Sequence, residues 1–432
     1  MRKLSKRAFS VLLLAFMVIA GLCLFIYRDY TSGKDWAEYF SAYNSLSEGE
    51  ITDREGYVLA YFKGAKTSYA GDPLTRTANY HVTGDFWGRT GTGLITKFYQ
   101  ETQDFNFFTG TTETESVILK LSIDSQLNNE AYRLLRSNGN GCIMLMNYRT
   151  GEVLCMVSSP STDPEDSDAE LEDGTYINRC ISASFVPGST FKLITAAAAI
   201  ENIPDIYERK FTCCGESEIA GVPITCTAAH GEQSFEEALA NSCNCAFADI
   251  TVELGQETMV KYVKDYGFLS SGSLEGITTA SGTYPEEFVG DPELAWSGIG
   301  QSTDSVCPYT MLCYVAAIAN GGELARPTLL AEPSEIETDP LVKEETAAKM
   351  QALMRNNVVT HYEGEVNFPN LPLCAKTGTA ELGDGTSHSW FTGFLLDEEH
   401  PYAFVALVER GGYGLWTAGL MMNELLQTVV NG

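Results

Sequence analysis

The sequence predicts a mixed α/β (α+β) chain with a small module ahead of its main domain and one membrane-spanning helix. Three observations carry that reading. Runs of strand length, rich in Val, Ile, Thr and aromatics, are interleaved with apolar helical runs. An uncharged stretch of membrane length stands near the N-terminus. The 432 residues are 44% hydrophobic, enough to fill a globular core without large-scale disorder. Net charge is −29, from 57 acidic and 28 basic residues. A polyanion of that size is repelled by phosphate backbones, so nucleic acid is excluded as a partner.

The elements follow in order. Arg2, Lys3, Lys6 and Arg7 form a short basic tail over residues 1–7. Residues 8–27 carry no charge, and about 20 such residues span a hydrocarbon core of about 30 Å. Positive charge before the span and Asp29, Asp35 and Glu38 after it predict a single-pass protein of the cell membrane, N-terminus cytoplasmic and the rest outside. No small-x-small cleavage site follows the apolar run, so an uncleaved anchor is expected over a signal peptide. Cys23 follows Leu22, where lipoprotein processing needs a small residue.

Residues 28–115 read as a separate small module. Residues 51–60 read as strand, polar turn, strand, and residues 80–85 and 94–99 as short β-like or mixed segments punctuated by glycine. The main domain, 116–432, opens with a strand at 116–123 and a helix at 124–136 capped by Asp124 or Ser125. Residues 142–147 and 153–158 pair as a hairpin around Arg149-Thr150-Gly151. Acidic residues 163–173 make a solvated loop. From 193 to about 250 the pattern is mostly helical, interrupted by a cysteine-bearing loop. An apolar helix at 308–320 ends at Gly321-Gly322. Late strands at 372–380, 390–395 and 402–409 precede a closing amphipathic helix at 417–430.

Twelve cysteines is many for an exported chain. Cys142, Cys155, Cys180, Cys307, Cys313 and Cys374 sit in apolar surroundings and are expected to pack as small hydrophobes. Cys213, Cys214, Cys226 and His230 cluster more tightly. Unpaired thiols are expected there first, a disulfide across a hairpin second and a zinc ion last, since the spacing matches no strong zinc pattern.

The chemistry concentrates at Ser189-Thr190-Phe191-Lys192, preceded by Pro187-Gly188 and followed by an apolar run to residue 200. A serine is a poor nucleophile until a base takes its proton, and an unprotonated lysine beside it can do so. Pro-Gly breaks the chain before the helix, and i, i+3 spacing puts Lys192 on the face of Ser189. Burial and the helix N-terminus both disfavour a charged lysine there. A Ser-x-x-Lys alone is most often a cap and a snorkelling lysine. Here it is followed by Ser242-Cys243-Asn244 and Lys376-Thr377-Gly378-Thr379, and the three together in this order form a signature set. Lys376 to Thr379 suits an edge strand, with the threonines on the face opposite Lys376. Cys243 is central in its motif and is not read as catalytic, and His230 and His388 read as hydrogen-bonded histidines rather than bases.

With these motifs the chain resembles the class B penicillin-binding proteins, monofunctional D,D-transpeptidases of the penicillin-binding protein and serine β-lactamase superfamily. The resemblance extends to Ile51-x-Asp53-Arg54-x-Gly56 with Leu59-Ala60, Gly151-Glu152-Val153-Leu154, Ser159-Pro160-Ser161, Asn178-Arg179, His230-Gly231, Gly298-Ile299-Gly300-Gln301, Asn320-Gly321-Gly322 and Trp390-Phe391-Thr392-Gly393. It implies a β-lactamase/transpeptidase-like domain, an antiparallel sheet flanked by helices. It implies acyl transfer at the D-Ala-D-Ala bond of peptidoglycan stem peptides through an acyl-enzyme on Ser189, with β-lactams as covalent inhibitors. Lys192 would take the serine proton, Ser242 relay it to the leaving amine and Asn244 orient Lys192 and the substrate amide. Backbone N–H groups of Ser189 and Thr379 would hold the oxyanion. The hydroxyls of Thr377 and Thr379 would bind the terminal carboxylate and Lys376 would supply positive potential, with Gly378 clearing space for the substrate backbone. No cofactor and no metal is implied. The segment between span and catalytic domain is short for a glycan polymerase, so a membrane glycosyltransferase partner docking on 28–115 is expected. Two enzymes of the same superfamily are the alternatives. Asp291-Pro292-Glu293-Leu294-Ala295 would give a serine β-lactamase its acidic loop but lacks the closing asparagine, and a D,D-carboxypeptidase differs only in using water as acceptor. A sensor is disfavoured because only residues 1–7 precede the span, and an inactive scaffold because every motif side chain is present. Ile95 stands where relatives often carry an acidic residue.

Overall fold

A five-stranded antiparallel sheet organises the main domain, in the spatial order Leu373–Glu381, Ser387–Leu395, Tyr402–Val408, Gly141–Asn147, Val153–Ser159. The computed structural model describes residues 2–44, 48–63, 66–101, 104–106, 111–113, 117–333 and 335–431, so parts of the module expected over 28–115, and the start of the strand expected from 116, lie outside the described residues. The central strands are buried on both faces because successive side chains serve two different cores. Cys142, Met144 and Met146 point into the larger one, beneath the apolar helix Pro308–Ala319. Ile143 and Leu145 point into the other, beneath the helices Ser125–Asn138 and Leu420–Asn431. Asp124 is the cap of the former helix, its carboxylate accepting from the N–H groups of Gln126 and Leu127. The Lys376-bearing strand lies at the sheet's edge, as its sequence predicts.

Ahead of this sheet, Lys66–Tyr69, Val58–Lys63, Glu48–Thr52 and Val117–Lys120 form a second sheet in that order, the last pair parallel. Asp53 locks the first turn: its Oδ1 accepts from the N–H groups of Glu55 and Tyr57, and Ser125 Oγ donates to its Oδ2 at 2.6 Å. Ile51, Leu59 and Leu119 belong to the same core as Met144 and Phe191. The two sheets therefore share one apolar interior.

Three local expectations are corrected. Residues 80–85 and 94–99 lie mainly in helices, Pro73–Thr83 and Leu94–Glu101. Asp72 caps the first, Pro73 opens it and Gly84 closes it, and these signals outweigh its β-branched content. The cysteine-bearing stretch is four short strands, Lys210–Cys213, Glu216–Ile219, Val222–Thr225 and Gly231–Ser234, set between helices. None of the twelve cysteines is in a disulfide, and the six expected in the core are buried there.

The N-terminal helix Arg2–Asn44 includes one segment, Lys6–Arg28, long and apolar enough to cross a membrane. Its Leu12, Phe16 and Leu24 side chains are exposed, as on a helix whose apolar surface faces lipid.

Candidate active site

Ser189 sits in a single 3₁₀ turn, Gly188–Phe191, that runs straight into the helix Lys192–Asn202. Gly188 has φ +53°, and a β-carbon there would lie 2.9 Å from the Thr379 carbonyl oxygen, so only glycine lets the turn press against the edge strand. Residues read as family features in the sequence converge on this turn. Trp390 Nε1–H donates to Val186 O at 2.9 Å, and Gly188 N–H donates to Gly300 O at 3.0 Å. A β-carbon on Gly378 would meet Pro187 O at 2.8 Å. Gly378 thus makes room for the serine turn itself, a closer reason for glycine than the passage of a peptide.

Lys192 is fully buried. Its Nζ donates to Ser242 O at 2.6 Å and to Asn244 Oδ1 at 2.7 Å, and lies 3.1 Å from Ser189 Oγ and 3.2 Å from Ser242 Oγ. The carbonyl and the amide oxygen can only accept, so they engage two hydrogens. A neutral amine has two, which leaves its lone pair facing the hydroxyls. Desolvation by burial pulls the Lys192 amine down to about 8, so about a tenth is neutral at pH 7.

The second motif is placed by two helices. Phe235–Ala240, held by a capping box between Ser234 and Glu237, ends just before it, and Asn244–Asp265 begins within it with Cys243 as cap. Between them Ser242 takes φ +53°, a left-handed conformation disfavoured for serine, which turns its carbonyl and hydroxyl toward Lys192. Asn244 Nδ2 donates to Thr225 O at 2.8 Å, which fixes the amide's orientation. Cys243 is buried, its sulfur 3.9 Å from Cys226 Sγ. The sulfurs of Cys213, Cys226 and Cys243 and the His230 ring lie within 4.8 Å of one another, a set able to hold a soft cation.

On the edge strand, Lys376 Nζ donates to Ser242 Oγ at 3.0 Å and to Thr377 O at 3.0 Å. Burial, with repulsion from Lys192 second, holds this amine well below the ordinary lysine range. A chain of contacts of 3.0–3.2 Å thus runs Ser189 Oγ, Lys192 Nζ, Ser242 Oγ, Lys376 Nζ. Thr377 N–H donates to Tyr362 OH at 3.1 Å, away from the neighbouring strand. By the two-residue alternation of a strand, Thr379 presents its own N–H on that outward side, where the serine turn abuts it. Gly414 N–H donates to Thr379 Oγ1 at 3.1 Å.

The structure brings together Ser189, Lys192, Ser242, Asn244 and the Lys376–Thr379 segment in one cleft. Tyr362, Thr225 and Gly414 also shape it and went unread in the sequence. Glu293, in the acidic segment that resembled a hydrolase loop, accepts from Val289 N–H at the start of its own helix, Asp291–Gly298. Among the described residues no carboxylate hydrogen-bonds Ser189 or Lys192. His388 accepts from Arg410 N–H and packs edge-on against Phe185. Arg179 pairs with Glu409 and donates to Gly174 O, a bracing contact outside the cleft.

Residues 141–427 match the penicillin binding protein transpeptidase domain family. The chain is 30% identical over 312 residues to stage V sporulation protein D of Bacillus subtilis, covering 66% of this chain and 47% of that protein. It is 26% identical over 358 residues to the peptidoglycan D,D-transpeptidase PbpA of Mycolicibacterium smegmatis, covering 73% and 71%. The chain spans about half the length of the first of these relatives. In fold it is similar to a ceftriaxone acyl-enzyme complex of penicillin-binding protein A from M. tuberculosis, with TM-score 0.73, 22% identity and coverage of 89% and 99%.

Proposed function

The chain belongs to the penicillin-binding protein transpeptidase family, in its class B, and from that premise we propose that it is a membrane-anchored peptidoglycan D,D-transpeptidase that cross-links stem peptides through an acyl ester on Ser189. One observation carries the reading: a buried Lys192 amine lies between two hydroxyls, 3.1 Å from Ser189 Oγ and 3.2 Å from Ser242 Oγ, with its hydrogens engaged elsewhere.

The steps follow from that geometry. Neutral Lys192 accepts the Ser189 proton as Oγ bonds the carbonyl carbon of the penultimate D-alanine. The oxygen charge that develops is held by the N–H groups of Ser189 and Thr379; loss of one such donor costs about 10²–10³ in rate in other acyl-transfer enzymes. The proton passes from Lys192 through Ser242 to the leaving nitrogen, the C–N bond breaks and D-alanine departs. A second stem peptide's amine then attacks the ester, and its proton returns to Ser189 by the same route. The hydroxyls of Thr377 and Thr379 bind the terminal carboxylate, and Lys376 supplies positive potential beside it. A carboxylate placed to drive water onto the ester would favour a β-lactamase, but Glu293 is engaged at its own helix start.

Mass spectrometry of the full chain after benzylpenicillin tests the assignment. A stable adduct on Ser189 is expected, absent in Ser189→Ala and strongly slowed in Lys192→Ala. An adduct on another side chain, or rapid release of hydrolysed penicillin, overturns it.

We further propose that the N-terminus is cytoplasmic and that residues 28–115 dock on a membrane glycosyltransferase. Trp87, 77% exposed and edge-on to Phe86, is a candidate anchor. Trp87→Glu is expected to lose co-purification with that partner; unchanged co-purification refutes the docking.

A further inference from the structure

The four short strands between residues 210 and 234 have almost no core of their own. Beyond what they lend to the main interior, their separate apolar cluster is Ile219, Ile224, Ala248 and Ala295. Yet Thr225 orients Asn244, and this stretch leads into the helix that delivers Ser242. Small units with thin cores are commonly held by a staple.

We propose that Cys213, Cys226, His230 and Cys243 bind one zinc ion, which clamps these strands to the start of the Asn244–Asp265 helix directly behind the catalytic motif. The four donors arrive from four places: Cys213 ends the strand Lys210–Cys213, Cys226 follows Val222–Thr225, His230 precedes Gly231–Ser234, and Cys243 lies within the motif. Cys226 Sγ is 3.9 Å from Cys243 Sγ and 3.6 Å from His230 Nδ1, and all four donor atoms lie within 4.8 Å of one another. A tetrahedral zinc with Zn–S of about 2.3 Å and Zn–N of about 2.0 Å requires edges of roughly 3.5–3.8 Å. A disulfide requires sulfurs at about 2.05 Å. Two edges already have about that length, the others lie within 4.8 Å, and none of the three cysteines is in a disulfide.

Outer contacts match a metal site as well. Asn244 N–H donates to Cys226 Sγ at 3.2 Å and Ala246 N–H to Cys243 Sγ at 3.5 Å, the kind of support that orients sulfur ligands. Cys213 and Cys243 are buried while Cys226 and His230 are half-buried, which gives a closed three-cysteine, one-histidine set with a path for entry. Cys245 lies 3.6 Å from Cys213 Sγ, but its thiol turns to Ile224 O and stands outside the four. Each cysteine enters as a thiolate and gives its proton to solvent, and the zinc is neither oxidised nor reduced. The consequence for catalysis rests on the function proposed above: zinc fixes the backbone that sets Ser242 O and Asn244 Oδ1, the two acceptors that aim Lys192.

The test uses the full chain purified in detergent without chelators. Roughly one zinc per chain is expected by plasma mass spectrometry, in the wild type, in Ser189→Ala and in Cys214→Ser, whose thiol is an exposed neighbour. Cys226→Ser and His230→Ala are expected to lose it. Cobalt(II) exchanged into the wild type should show sulfur-to-metal charge transfer and tetrahedral ligand-field bands, a readout that needs no variant to fold. Stripping zinc should slow acylation by fluorescent penicillin about tenfold or more, with recovery on adding zinc back. A zinc-free chain from zinc-replete cells whose thiols all titrate as free, or a Cys226–Cys243 disulfide on peptide mapping, overturns the site. A zinc-loaded chain that never acylates overturns the Ser189 reading and leaves the site standing.

Discussion

At the scale of single residues, the structure buries one amine, pulls its titration down and aims it at two hydroxyls. In the proposed reaction the neutral form of Lys192 is the base, and it dominates only above about 8, where burial has placed its titration. Acylation by benzylpenicillin should therefore rise about tenfold per pH unit below that point and level off above it. Asn244→Asp puts a carboxylate where Oδ1 now lies 2.7 Å from the amine. An opposite charge this close favours the ammonium, so the midpoint should move up by about one unit or more. A stopped-flow pH profile of both proteins checks the sign; an unmoved or lowered midpoint removes Lys192 from the role of base. Ser242 carries a different cost. Its left-handed backbone favours glycine by about 1–2 kcal/mol, partly offset by the greater freedom of glycine in the unfolded chain. Ser242→Gly should then exceed Ser242→Ala in stability by about 1 kcal/mol in denaturant titration, although both lose the hydroxyl and acylate slowly. Equal stability would mean that the turn is unstrained.

At the scale of elements, the contest is between local signals and tertiary placement. The three motifs were legible in the sequence because each is contiguous and its chemistry lies in its side chains. Their meeting at the edge strand was legible from the resemblance alone. Tyr362 was not, since its hydroxyl matters only once the strand Leu373–Glu381 offers Thr377 N–H to it. Thr225 and Gly414 act through backbone groups, which leave no residue-type signal. The end of the helix Pro73–Thr83 was misread over residues 80–85 because Tyr80, Val82 and Thr83 imitate a strand, while Asp72-Pro73 and Gly84 held the true punctuation. The short strands from 210 to 234 were missed because each has only 4 residues, too few for an alternation such as Lys210-Phe211-Thr212-Cys213 to stand out from a loop. The serine turn shows how tightly elements are coupled. Gly188→Ala adds a positive-φ penalty of about 1–2 kcal/mol and a contact of 2.9 Å with the edge strand. Thermal unfolding should register a modest loss while acylation falls much further, because the turn must back away from Thr379. Wild-type acylation in this variant would show that the close approach is dispensable.

At the scale of the whole molecule, the decisive fact is that the N-terminal sheet has no interior separate from the larger core of the catalytic sheet. Ile51 is fully buried, pairs across to Ala60 and Leu119, and lies in one cluster with Met144, Phe191 and Leu193. Asp53 reinforces the junction through Ser125, at the head of a helix that covers the catalytic sheet. Units that share a core unfold together, whereas a module with its own core melts on its own. Ile51→Ala removes buried methyl groups at a cost of about 2–5 kcal/mol. In calorimetry of the full chain, that loss should lower one common transition by several degrees, and penicillin acylation should vanish at the same lowered temperature. If the variant instead split the melt into an early transition that leaves acylation intact and a late one at the original temperature, the two sheets would be independent. The N-terminal sheet would then be a detachable adaptor, and the shared core would lose its standing as what joins it to the catalytic sheet.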